Sequence, residues 1–213
     1  MKKTTLMLAA LACCTLLGTA HAEGPYRNPD NKNKNDVSEG TYPVPYKMPV
    51  VAEITEQLNR IRAYMDHATP TAVVNKKTGA PITDFKTPVA DAAIAEAAGD
   101  YGIMVYEMGV VHAGLLSAAQ ATGDSKFTAM TRRHFDFFGQ TLPYFRAQEA
   151  KFKLERQNSF ARFIDPRSLD DTGSMCAALM RAKAAKIGPD LKWMIDSCSD
   201  WVANKQFRLA DGT

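Results

Sequence analysis

Apolar residues recur at helical spacing over three long windows. Val51, Ile54, Leu58, Ile61 and Met65 fall on one side of a helix predicted from Val50 to His67. Phe127, Met130, His134, Phe137, Phe138 and Thr141 line one side of a second, from Lys126 to about Arg146, with Arg132, Arg133, Asp136 and Gln140 opposite. Pro143 is expected to kink or end that helix, because proline removes a helical hydrogen bond. A third amphipathic helix runs from Leu191 to about Lys205, opened by Asp190. Two further windows read differently. Tyr101–Thr122 and Asp170–Lys186 are helical in character but carry many small residues, among them Gly109, Ala113, Gly114 and Ser117 in the first. Small residues admit a neighbouring backbone, so the first of these helices is expected to be buried on most sides. Gly123 ends the first in left-handed geometry, and Asp124 or Ser125 caps the helix that follows.

These windows repeat. Gly109 and Gly173 are 64 residues apart, and Gly123 and Gly188 are 65 apart. Each unit is a small-residue helix, a Gly turn and an amphipathic helix with aromatics, such as Phe135, Phe137 and Phe138 in one and Trp193 and Trp201 in the other. Repeated helical hairpins stack so that neighbours bury each other's faces. The small-residue helices form the inner layer and the aromatic ones the outer layer. No strand pattern competes over a long window, so the fold class is all-α. Thr69–Pro88 reads as a loop with a short hairpin around Lys77-Thr78-Gly79; Ala90–Ala98 is a short helix or an ordered loop; Lys151–Ser168 is a basic, irregular connection.

Composition changes the picture at the N-terminus. Lys2 and Lys3, an apolar run from Leu6 to Thr19 and the small-x-small Ala20-His21-Ala22 make residues 1–22 a secretory signal peptide, which places the mature chain in the periplasm or outside the cell. Residues 23–49 are a flexible leader that ends in an extended strap, Tyr42–Pro49. Losing Lys2 and Lys3 lowers the formal net charge from +3 to +1, so nothing in the charge points to nucleic acid or an anionic membrane as partner, and neither is expected. Cys176 and Cys198 remain. They could pair in an oxidising compartment, but both fall on apolar helix faces, so two buried free thiols are expected, with no disulfide framework and no metal site.

The chemistry concentrates at Leu169-Asp170-Asp171-Thr172-Gly173-Ser174-Met175. Two adjacent carboxylates stand at a helix start, where one can cap the first turn and the other face a cleft. With Tyr42–Pro49, Tyr106-Glu107-Met108-Gly109-Val110, Ala121–Asp124, Gly188–Leu191 and Asn204–Thr213, this segment resembles glycoside hydrolase family 105, the unsaturated rhamnogalacturonyl hydrolases, relatives of the unsaturated glucuronyl hydrolases. The resemblance runs from about Tyr42 to Thr213. It implies an (α/α)6 toroid of six hairpins and a substrate that is an oligosaccharide with a 4,5-unsaturated uronic acid at its non-reducing end. It also implies hydration of the vinyl ether: an Asp protonates C4, water adds at C5, and the hemiketal collapses to release the next sugar. No cofactor and no metal are implied. On this likeness Asp171 is an active-site carboxylate with Asp170 beside it or serving as the cap, and Tyr106 and Glu107 line the pocket; His112, on the same helix, faces the substrate or, as a lone His on an apolar face, is a satisfied core group; Arg162 and Arg167 are surface charges or reach a uronate carboxylate. The family's principal proton donor lies in a Trp-(Val/Leu)-Asp-Asp-like segment that these 213 residues do not contain, and they hold between two and three hairpins of the six. The chain therefore reads as the N-terminal portion of such an enzyme. The alternative is a non-catalytic secreted helical protein that binds oligosaccharide or needs a partner chain.

Overall fold

A computed structural model describes residues 50–96 and 101–211. The expected signal peptide, leader and strap lie outside the described residues. The body is all-α, with one small sheet. In chain order the elements are α1 (Val51–Ala68), β1 (Val73–Asn75), β2 (Ala92–Ile94), α2 (Tyr106–Thr122), α3 (Lys126–Phe152), α4 (Ala161–Ile164), α5 (Leu169–Ala184) and α6 (Lys192–Asp200); α6 continues as a turn of π-helix over Trp201–Lys205.

The small-residue helices pair as expected. Ser174 Oγ donates to the Tyr106 carbonyl at 2.8 Å, and Arg181 donates to the Ala113 carbonyl at 3.2 Å and to Ser117 Oγ at 2.8 Å. Early residues meet early and late meet late, so α2 and α5 run parallel. Gly109 makes the close approach possible: a Cβ there would stand 2.6 Å from Met175 N and from Ser174 C. The aromatic helix α3 packs beside them and runs onto the turn before α6, where Gly188 lies against Phe135, Gly139 lies against Pro189, and the Arg146 guanidinium sits 4.3 Å over the Trp193 ring. Phe127, Phe135, Phe138, Phe145, Phe160 and Phe163 are fully buried and form the centre of the core.

Helix ends follow their local chemistry. Glu53 reaches back to accept from the Val50 N–H at 3.0 Å, opening α1. Asp124 accepts from Lys126 N and Asp190 from Lys192 N, so both carboxylates satisfy first-turn donors of the helices they precede. Gly123 closes α2 at φ +71°, its N–H bonded to the Ala119 carbonyl.

Several expectations are corrected. Pro143 neither ends nor breaks α3, which continues to Phe152. Burial of Leu142, Tyr144, Phe145 and Gln148 holds the helix through it, and Gln148 Nε2 donates to the carbonyls of Val89, Ala90 and Ala92. Residues 90–98 contain a strand, β2, paired antiparallel with β1 (Val73↔Ile94, Asn75↔Ala92), while the expected turn at Lys77–Gly79 appears as a bridge between Val74 and Pro81. The irregular connection after α3 contributes to the core: Asn158, Phe160, Ala161 and Phe163 are buried, and Asn158 Nδ2 donates to the Phe145 carbonyl. Cys176 and Cys198 are not free thiols but a disulfide with Cα atoms 6.1 Å apart, joining α5 to α6. The same apolar faces that suggested buried thiols bring the two sulfurs together. The apolar face of α1 is only partly covered, since Met65 and Ala68 are buried while Val51 remains 77% exposed.

Candidate functional site

Because α2 and α5 run parallel, their N-terminal ends lie side by side and gather four of the five expected site residues. At the start of α5 the cap is Ser168, whose Oγ accepts from Asp171 N at 3.4 Å. The sequence carried this signal as Ser168-Leu169-Asp170-Asp171, a serine three residues before an acidic one. Neither Asp is therefore the cap. Asp170 is exposed in the first turn; Asp171 is half-buried, its side chain 22% exposed. Arg162, from α4, places Nε 2.9 Å from Asp171 Oδ1. That N–H has no hydrogen-bond partner, so the contact is an ion pair and not a directed hydrogen bond. At the start of α2, Tyr106 and Glu107 are both exposed in the first turn, next to α5 through the Ser174–Tyr106 bond. The two helix N-termini present their positive ends to the three carboxylates of Glu107, Asp170 and Asp171. Arg167 bonds to Asp165 instead and does not reach the pair.

A cavity of about 500 Å³ opens in front of Arg162. Its walls are the edge of the small sheet, the segment Gly102–Val105 that leads into α2, and the stretch from Arg156 to Arg162. Lys76, Glu96 and Arg156 contribute the other charges.

His112 does not stand with this group. It is fully buried between α2 and α3 and is corrected from a substrate-facing residue to a core one. It belongs to a chain of four contacts that sequence reading did not find. Thr69 Oγ donates to the Met65 carbonyl at 2.6 Å and lies 3.0 Å from His134 Nε2, which also stands 3.3 Å from Arg133 Nη2. His134 Nδ1 lies 3.2 Å from His112 Nε2, and His112 Nδ1 lies 3.0 Å from Thr131 Oγ. A neutral imidazole has one donor and one acceptor nitrogen, so the chain is compatible with both rings neutral. Burial, the charge of the other ring and Arg133 hold His112 well below its ordinary value; burial and Arg133 lower His134 to about 4, against smaller opposing effects from Thr69 and Asp66. Arg133 itself is tied to Asp66 and to the Thr69 carbonyl, locking the end of α1 to α3.

Among the described residues no group of His, Cys, Asp and Glu is arranged to hold a metal ion. No protein-family model matches the chain, and no curated protein matches it.

Proposed function

We propose that this chain carries the first hairpins of a secreted (α/α)6 glycoside hydrolase that hydrates a 4,5-unsaturated uronic acid, with Asp171 as one of its active-site carboxylates. The observation that carries the reading is the placement of Asp171. It is half-buried, held by Arg162, beside Tyr106 and Glu107 at the joined ends of two parallel helices. In this reaction a proton goes to C4 of the double bond, positive charge develops at C5 and the ring oxygen, and water adds at C5. A fixed carboxylate stabilises that charge or orients the water. The family's proton donor stands in a Trp-(Val/Leu)-Asp-Asp-like segment, which residues 1–213 do not contain.

The toroid is supported by the repeat. Gly109 receives the backbone of α5. Gly173, 64 positions on, offers a matching site on α5, where a Cβ would meet nothing nearer than Leu169 Cδ1 of its own helix at 3.6 Å. A third inner helix docking there continues the array. Export is supported by the signal-like N-terminus and the disulfide. The second reading, a binding protein completed by a partner chain, is favoured by the exposed Val110, Leu169 and Met180 on the inner helices.

The test is loss of double-bond absorbance from an unsaturated disaccharide. Residues 1–213 alone are expected to give no turnover, and clear turnover overturns the assignment of the proton donor. In a longer product of the same gene that carries the Trp-(Val/Leu)-Asp-Asp segment, Asp171→Asn is expected to lower kcat on the order of 10²-fold with the fold intact. Asp170→Asn costs less. If both are silent, the pair is structural and the hydrolase reading fails.

A further inference from the structure

Arg162 belongs to two places at once. Its Nε faces Asp171, and its guanidinium lines the cavity of about 500 Å³. Its two Nη groups carry no hydrogen bond to any described residue. Across the same cavity stand Lys76 and Arg156. Lys76 Nζ donates to the Gln157 carbonyl at 3.0 Å, and Arg156 Nη1 to the Asp165 carbonyl at 3.2 Å. Both partners are neutral carbonyls, and neither cation is in an ion pair among the described residues. The Asp165 carboxylate, which could have neutralised Arg156, is taken by Arg167. Among the described residues the one acid on the cavity wall is Glu96, whose Oε1 lies close to Gly102. Three cations therefore face the cavity against Glu96, with Asp171 behind Arg162. Such a site attracts anions, and the planar fork of arginine matches a carboxylate. The volume lies in the range of small-molecule sites and holds a sugar ring.

We propose that this cavity binds a second acidic sugar, a uronate in the part of the oligosaccharide that leaves, through Lys76, Arg156 and the Nη groups of Arg162. The inference rests on the hydrolase reading for its position beside Asp171 and deepens it: the preferred substrate carries a carboxylate on its leaving side, not a neutral sugar there.

The test uses a ligand that no vinyl-ether hydration can consume. Binding of saturated trigalacturonate to the full chain is measured by calorimetry, against the carboxyl-reduced, neutral trisaccharide. The acidic ligand is expected to bind at least tenfold more tightly and to weaken as salt is raised. The Lys76→Gln/Arg156→Gln double variant, altered only at exposed residues, is expected to lose that tenfold preference. Asp171→Asn is expected to keep it, so a failure of the hydrolase reading appears in turnover while the cavity assignment stands. Equal binding of the two ligands, unchanged affinity in the double variant, or no binding of trigalacturonate at millimolar concentration each overturns the proposal.

Discussion

At His112 and His134 the structure gives pH a direct hold on stability. In the unfolded chain each imidazole takes a proton near pH 6.5. In the fold both are held neutral well below that, His134 to about 4, because burial disfavours charge and Arg133 repels it. Between those values the unfolded chain binds more protons, so the stabilisation is full above pH 6.5 and is lost as pH falls toward 4. For His134 alone the loss between pH 7.5 and 5 is about 2 kcal/mol, with His112 adding to it. Urea unfolding at the two values measures this. A His112→Asn/His134→Asn variant is less stable at pH 7.5 but flatter between them. A wild-type midpoint that does not move would mean the rings are not held neutral by the core. The family likeness offered His112 as a pocket residue, and the apolar face it sits on offered it equally as a core one. Only packing shows that both its nitrogens are engaged with Thr131 and His134, residues 19 and 22 positions away.

The helix pair α2–α5 carries the next predictions. At Gly109 an added Cβ collides with backbone atoms of Ser174 and Met175 at 2.6 Å, which no rotamer change relieves. Gly109→Ala therefore separates the helices and costs about 1–3 kcal/mol. Gly173→Ala meets only Leu169 at 3.6 Å, and within residues 1–213 it gains up to about 1 kcal/mol from helix propensity. Urea midpoints of the two variants should fall on opposite sides of the wild type. The same sequence feature, a glycine in a small-residue helix, thus has opposite consequences at two positions 64 residues apart. The disulfide acts between elements as well. It closes a loop with a separation of 22 residues, so reduction, or Cys176→Ser, is expected to cost about 3 kcal/mol by restoring entropy to the unfolded chain. Unfolding with and without dithiothreitol checks this. Pro143 shows the converse balance. Its local rule says stop, and the buried Tyr144, Phe145 and Gln148 beyond it override that rule.

Over the whole molecule, the parts of the pattern that predict burial are not all buried. Val110 is 60% exposed on α2, and Leu169 and Met180 on α5, Ile61 and Tyr64 on α1, and Phe207 are exposed as well. An apolar surface of this kind attracts other apolar surfaces. Residues 1–213 are expected to bind a fluorescent apolar dye and to associate with rising concentration in sedimentation. Val110→Lys with Leu169→Lys should reduce both while leaving the unfolding midpoint nearly unchanged, since neither side chain is in the core. Dye binding unaltered by that pair would place the sticky surface elsewhere, on α1 or near Phe207. Among the described residues no helix is long and apolar enough to cross a membrane.

Sequence by itself determined what depends on near neighbours along the chain. The all-α class, the order of its long helices, the Gly123 stop and the Asp124 and Asp190 caps follow from periodicity and backbone chemistry over a few residues. The small-residue pattern that recurs after 64 residues also pointed to α2 and α5 as stacking neighbours, because small side chains let two helices approach closely. Tertiary structure decided what depends on residues far apart. It paired β1 with β2 across a stretch of weak local preference, carried α3 through Pro143, and joined Cys176 to Cys198. It moved His112 into the core and set Ser168, not an Asp, as the cap of α5. Asp171 was legible as a candidate from its place at a helix start. That Arg162 holds it, and that Arg162 also lines a cavity with Lys76 and Arg156, required the fold, because charge partners are chosen by distance in space and the sequence records only distance along the chain.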